Sequence, residues 1–238
     1  MIGYDRPLKA EWIYKSLQLV EVGHNPKEFY EGYDNIAVEL TGKDGRRKTR
    51  TVLFRTFIFN FQEKTSIIDD NILIRLCKEK SFDYMKPIIL SKFIIDYKIL
   101  NQFSNLYSKI FDDSQEISTK AITKGMVESF GDAEIIKRST RAFLKTLHSF
   151  GIIEPLNVTT YAQLPKLELS IEQVKDILLL YAVSNHTKQI DLKHIDKSLF
   201  AYYKIPSLSK VANNYHTTFW EYIKGSDREL LILNKDKI

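Results

Sequence analysis

The 238-residue chain has a single cysteine, Cys77. That excludes a disulfide framework and a zinc ribbon, and it fits a reducing compartment. Glycine (9) and proline (6) are scarce, so turns are few and helices are expected to dominate. There is no low-complexity tract and no fixed-period repeat, which excludes solenoids and disordered linkers. Long apolar runs are also missing. The longest unbroken one is Ile177 to Val183, and a bilayer span needs about 20 residues. Residues 88–100 (IILSKFIIDYKIL) are broken by Lys92, Asp96 and Lys98 and read as a buried helix. The opening Met1 to Arg6 carries neither an apolar signal core nor a glycine at position 2. A cytoplasmic protein without membrane partners is expected.

Catalytic signatures are lacking too. There is no GxxxxGK[ST] and no GxGxxG after a strand. His24, His148, His186, His194 and His216 include no zincin pair. His186 and His194 bracket Asp191, an arrangement better read as a connection between helices than as a metal site. Asp69-Asp70 and Asp112-Asp113 sit where helices start or stop, and read as caps. No glutamate has a lysine two residues later, as a common metal-dependent nuclease core requires. Cys77 falls in a helical pattern with Leu73 and Leu76, so it reads as a small core residue. The expectation is a protein that is not an enzyme and holds no cofactor or metal.

What the chain does have is concentrated positive charge. Lys and Arg number 35 against 30 Asp and Glu. Residues 43–55, KDGRRKTRTVLFR, hold Lys43, Arg46, Arg47, Lys48, Arg50 and Arg55 against Asp44 alone. That excess equals the excess of the whole chain. A second cluster is Lys137, Arg138, Arg141 and Lys145, with no acid between 137 and 148. Such a split is the footprint of a polyanion binder, or else of a solvated basic face.

Periodicity orders these clusters. A first helix is expected after Arg6-Pro7 and up to Gly23, and Asn25-Pro26-Lys27-Glu28 opens the next. From near Gly45, Leu53, Phe54, Phe57, Ile58 and Phe61 share one helical face. Cations in the first turns of that helix oppose its dipole. Internal acids or an external anion such as phosphate can offset this. Further helices are expected over 69–80, 84–111 (with Pro87 in the first turn) and 118–130. Within 136–150, Ile136, Thr140, Phe143, Leu147 and Phe150 share one face, and the four cations with His148 share the opposite one. Ser139 is a candidate cap and Gly151 a stop. Ile152-Ile153-Glu154 reads as a strand and Leu167-Glu168-Leu169 as its returning partner. Ser170-Ile171-Glu172-Gln173 is a capping box, a helix is expected from Asp191 to about Tyr203, and Pro206-Ser207 starts a shorter one. Residues 218–223 and 229–233 flank a Gly-Ser-Asp turn as a hairpin.

The expected fold is mainly α: a helical bundle with winged helix-turn-helix-like elements and short β-hairpin wings. Helix, turn, basic helix, hairpin is the winged-helix order, although an ordinary helix–hairpin connection reads the same way. The expected division is a helical region 1–112 bearing the first basic helix, and a winged-helix-like region 113–238 with a second helix/hairpin unit at its end. DNA contacts are expected from Lys43, Arg46, Arg47, Lys48, Arg50, Arg55, Lys137, Arg138, Ser139, Thr140, Arg141 and Lys145.

Four segments carry a family resemblance: RPLKAEWIYKSLQL (6–19), GRRKTRTVLFR (45–55), and STRAFLKTLHSFGIIE (139–154) with FWEYIKGSDRELLIL (219–233). In order and spacing the chain resembles the BrxA family, small helical proteins of bacterial BREX phage-defence systems. The resemblance implies a non-enzymatic, mostly helical cytoplasmic protein that binds double-stranded DNA and meets other defence-system proteins. That family is also likened to NusB-type RNA-binding antitermination factors. An RNA-binding factor and a protein-interaction scaffold are therefore the alternatives.

Overall fold

The computed structural model describes residues 4–59, 66–111 and 116–234. Phe61 and the Asp112-Asp113 pair, and with them the expected division at 112/113, lie outside the described residues.

The chain begins with an extended segment leading into α1 (Ala10–Leu19). The Asn25–Glu28 capping box forms as read, and opens a 3-10 turn (Pro26–Phe29) that runs into α2 (Tyr30–Ile36). The basic helix α3 (Lys43–Leu53) starts two residues before Gly45, and continues as one π turn, Phe54–Ile58. Next come α4 (Ile72–Glu79), α5 (Phe82–Asp96) and α6 (Lys98–Phe111). Asn71, rather than the Asp69-Asp70 pair, caps α4, accepting from the Leu73 and Ile74 N–H groups. Residues 84–111 are two helices, because Tyr97 takes an extended conformation between α5 and α6. Since α5 begins at Phe82, Pro87 falls inside it and not in its first turn.

Every residue from Pro87 to Ile94 is buried, Lys92 included. A helix apolar all round has no solvent face, and so it occupies the centre. Helices α1, α4 and α6 pack around α5.

Two units follow that share one sheet order. In the first, α6 leads through β1 (Glu116–Ser118) to α7 (Thr119–Phe130), α8 (Glu134–Ser149), β2 (Ile153–Pro155) and β3 (Thr160–Gln163). Its antiparallel sheet has the order β1-β3-β2. Gly151, at φ 72°, takes the left-handed position that stops α8. The strand returning to β2 is β3, and not Leu167-Glu168-Leu169. Leu167–Glu168 forms β4, which pairs parallel with residues 203–204, remote in sequence.

In the second unit, α9 (Ile171–Ser184) opens on the capping box at Ser170 and leads to β5 (Gln189–Asp191). The expected helix 191–203 is replaced by β5, a loop, a 3-10 turn (Lys197–Phe200) and β6 (Tyr203–Lys204). Asp191 there accepts from His194 and the Lys193 N–H, an Asx-type turn that competes with helix. Then come α10 (Leu208–Asn214), β7 (Trp220–Lys224) and β8 (Glu229–Leu233), in a sheet of order β5-β8-β7.

One buried cluster runs through all of this. Phe143 of α8 meets Phe103 of α6 at 5.0 Å, edge to face, and Tyr202 at 6.5 Å. Helix α9 packs along α5. Across that contact Tyr84 donates to Asp176 (2.6 Å), and the buried Lys92 donates to Asp96 and to Ser184 of α9. Among the described residues, no helix is long and apolar enough to cross a membrane.

Candidate nucleic-acid interface

Helix α8 divides as its periodicity requires. Ile136, Thr140, Phe143, Leu147 and Phe150 are buried, while Arg138, Arg141, Lys145 and His148 are exposed. The helix starts five residues before Ser139, so Ser139 caps nothing. Ser139 and Thr140 are themselves buried, which removes both from the expected DNA contacts. Thr140 donates back to the Ile136 carbonyl. Ser139 has a different task.

The extended segment before α1 lies along the inner side of α8. The Tyr4 N–H donates to Ser139 Oγ (2.9 Å), and the buried Tyr4 hydroxyl meets Thr146 Oγ1 (2.6 Å). The Leu8 N–H donates to both of those hydroxyls, and the Ala10 N–H donates to Ser149 Oγ. The small hydroxyls of α8 thus satisfy backbone donors of a strand that has no sheet partner. This strap fixes Asp5, Arg6 and Pro7 beside the cationic face.

The consequence is that two clusters some ninety residues apart in sequence meet. One hollow, of about 300 Å³, is lined by Arg138, Arg141 and Lys145 of α8, Thr119 of α7, Val158 and Tyr161 of the β2–β3 hairpin, and Asp5 and Pro7 of the strap. A second, of about 350 Å³, is lined by Asp5, Arg6, and Arg47, Lys48 and Thr51 of α3. Asp5 belongs to both. A third, of about 370 Å³, shares Arg47 and Thr51 with the second and adds Tyr30, Arg50, Phe54, Arg55 and Phe59. Through these shared lining residues the three adjoining hollows together make up the candidate groove.

The expected cations take unequal parts in it. Arg46 is turned away, donating twice to the Leu40 carbonyl (2.7 and 3.0 Å), and Lys43 lies exposed at the start of α3. Neither lines these hollows. Arg50 pairs with Asp34 (3.0 Å) and stacks over the Tyr30 ring at 4.1 Å, and Arg55 donates to Tyr97 Oη. Arg47 meets Asp44, with both side chains more than 60 % exposed. The charge strain at the start of α3 is therefore relieved in part by internal acids.

On α8, Glu134 receives both Arg138 (3.2 Å) and Arg141 (2.8 Å), and Lys137 pairs with Asp132 at the rim. The Arg138 hydrogen bond, with Arg141 beside it, holds the Glu134 carboxyl below the usual carboxylate range. All three side chains are more than half exposed, so solvent screens these pairs and they contribute little. A phosphate can displace the carboxylate at little cost.

Sequence reasoning missed Arg6, Thr119, Tyr161 and the hairpin tip Val158, which is 96 % exposed. Arg6 stood in the first quoted segment, but nothing local placed it beside Lys48. Among the described residues no group of three or more His, Cys, Asp or Glu side chains is placed to bind a metal ion. Burial pushes the Cys77 thiol up to about 12, as befits a core residue and not a nucleophile. Comparison with protein-family models, curated proteins and solved structures finds no match to the chain.

Proposed function

We propose that the protein is a non-catalytic DNA-binding module that holds duplex DNA in this groove, and that it serves a bacterial anti-phage defence system of the BREX type. The observation that carries the DNA reading is the convergence of the α3 and α8 cations, through the strap, on one surface. A solvated basic face needs no such convergence.

The chain order of the first unit supports a winged-helix reading. Helix, strand, helix, helix and hairpin, closed by a sheet of order first-third-second, is the winged-helix plan. In that plan α8 is the recognition helix and the β2–β3 hairpin is the wing. Arg138, Arg141 and Lys145 then meet phosphates or base edges in the major groove, and Val158 at the wing tip faces the minor groove. Arg6, Arg47 and Lys48 add phosphate contacts along the flank. No Asn or Gln stands among these groove residues to pair with adenine, so affinity rests mainly on the backbone.

Membership of a defence system rests on the family resemblance alone; the cytoplasmic location rests on it together with the single cysteine. An RNA-binding antitermination factor is the second reading. The half-buried rings of Tyr30 and Phe59 at one end of the groove favour it, because such rings stack unpaired bases.

The test is binding of duplex DNA, single-stranded DNA and RNA of equal length by the intact chain and by Arg138→Ala/Arg141→Ala/Lys145→Ala. The reading expects preference for the duplex and a loss of at least tenfold in the variant, with its thermal stability unchanged. Equal binding by variant and parent would overturn it.

A further inference from the structure

The third hollow combines two kinds of wall. The half-buried rings of Tyr30 and Phe59 supply planes, and the buried Phe54 backs both, edge to face with Tyr30 at 5.4 Å and tilted to Phe59 at 6.1 Å. Arg47, Arg50 and Arg55 supply guanidiniums. The Arg50 plane is fixed twice, by stacking on Tyr30 and by the ion pair to Asp34. A guanidinium held in this way offers both a stacking surface and directed donors.

The backbone is shaped to make this wall. The Phe59 N–H bonds the Phe54 carbonyl at 2.8 Å, an i to i+5 bond, so the end of α3 is a π turn. Arg55 and Phe59 line the same hollow as Arg47 and Thr51, the four residues following one another at a spacing of four along one face. Such π turns recur at ligand sites. The volume, about 370 Å³, falls within the range of about 300–1,000 Å³ usual for small-ligand pockets.

A bare phosphate needs cations but no rings, and an apolar ligand needs rings but not three cations. A nucleotide needs both. We propose that this hollow seats one unpaired nucleotide, its base against Phe59 and the Arg50 plane and its phosphate on Arg47 and Arg55. Because Arg47 and Thr51 also line the adjoining hollow, the nucleotide is an unstacked unit of the bound strand. That last step rests on the DNA-binding reading; the chemistry of the hollow does not.

The experiment compares a fully paired duplex of about 20 base pairs, the same duplex with one bulged adenine, and free AMP. Binding is measured for the intact chain, for Phe59→Leu and for Tyr30→Leu. Leucine keeps apolar bulk while removing the ring, and the two variants lie on different elements, which guards against a folding defect. The bulged duplex is expected to bind at least fivefold more tightly than the paired one. Each variant is expected to abolish that preference while keeping the far-UV circular dichroism of the parent. AMP binding that the variants lose, without any preference for the bulge, would assign the hollow to free nucleotides and overturn its assignment to the strand. AMP binding without binding of any duplex would overturn the DNA-binding reading and leave the nucleotide chemistry standing. The absence of both a bulge preference and AMP binding would overturn the proposal.

Discussion

The two units built on α6–β3 and α9–β8 share a sheet order and a helix before the closing hairpin, with a 3-10 turn and β6 in the second where the first has α7, yet they present different chemistry at the same place. In the first, the helix before the hairpin is α8, sixteen residues long, with four cations and one acid. In the second it is α10, seven residues long, with Lys210 as its single charged residue. Where α8 faces a cation-lined hollow, α10 faces Glu229, which accepts from Ser209 of α10 and from the Tyr222 hydroxyl. The inner sides differ as well. The hydroxyls of α8 bind the strap, whereas α10 receives the indole N–H of the fully buried Trp220 at the Ala212 carbonyl. The shared helix-and-hairpin arrangement thus serves as a charged surface in one unit and as a neutral, tightly seated one in the other. Fold alone assigns neither role, and side-chain charge separates them.

The largest expected effect concerns how the second unit is seated. Lys92, 2 % exposed, holds Asp96 and reaches Ser184 of α9. Removing one member of a buried pair strands the other charge. Lys92→Met is therefore expected to cost about 3–5 kcal/mol in denaturant unfolding, whereas Lys92→Met/Asp96→Leu returns to within about 1 kcal/mol of the parent. A small effect of the single change would mean that the pair does not hold α5 against α9. The pair also carries a pH signature. Burial raises Asp96 to about 6 despite Lys92, so the folded chain holds that proton more tightly than the unfolded chain. This contribution to stability is full below the unfolded value near 4 and is lost as pH rises through about 6. Thermal melts of the parent minus those of Asp96→Asn, taken from pH 4 to 7, are expected to fall with rising pH; a flat difference would contradict the assignment.

Binding comes next in size. Arg138→Ala/Arg141→Ala/Lys145→Ala is expected to lose at least tenfold in duplex affinity. The corresponding set in the second unit, Lys210→Ala/Lys224→Ala/Arg228→Ala, is expected to lose less than twofold, read by fluorescence anisotropy at one salt concentration. Equal losses would erase the distinction between the units.

The smallest effect comes from the carboxylate that the groove's own arginines hold. Glu134→Gln removes the competitor of a phosphate for Arg138 and Arg141, and is expected to tighten duplex binding by about two- to fivefold. Weaker binding would mean that Glu134 positions those side chains instead of masking them.

Much of the frame was legible locally. The capping boxes at Asn25 and Ser170, the stop at Gly151, the two faces of α8 and the terminal hairpin all follow from residues within a few positions of one another. What escaped depends on distant partners. Ser139 and Thr140 are polar residues on an amphipathic helix, and only the strap, whose Tyr4 lies 135 residues before Ser139, turns the first of them inward. The Leu167–Glu168 strand has the alternation of a hairpin arm but pairs with Tyr203–Lys204. Absence of acids within 137–148 suggested unmasked cations, yet Asp132 and Glu134, just outside that window, reach back to three of them. The basic clusters themselves were plain in the sequence. Their convergence was not, because Asp5 and Arg6 join them only once Tyr4 is tied to α8.

That convergence is the central claim, and the salt dependence of binding to a single duplex of about 20 base pairs tests it most directly. Six to eight phosphates neutralised together give a log–log slope of about −5 to −7. Arg47→Ala/Lys48→Ala is expected to reduce the steepness by about 2, the α8 triple variant by about 3, and the combination by the sum, because each removed contact releases about 0.9 of a counterion fewer. A slope that the α3 variant leaves unchanged would contradict the account, since the two clusters would then not meet the same nucleic acid.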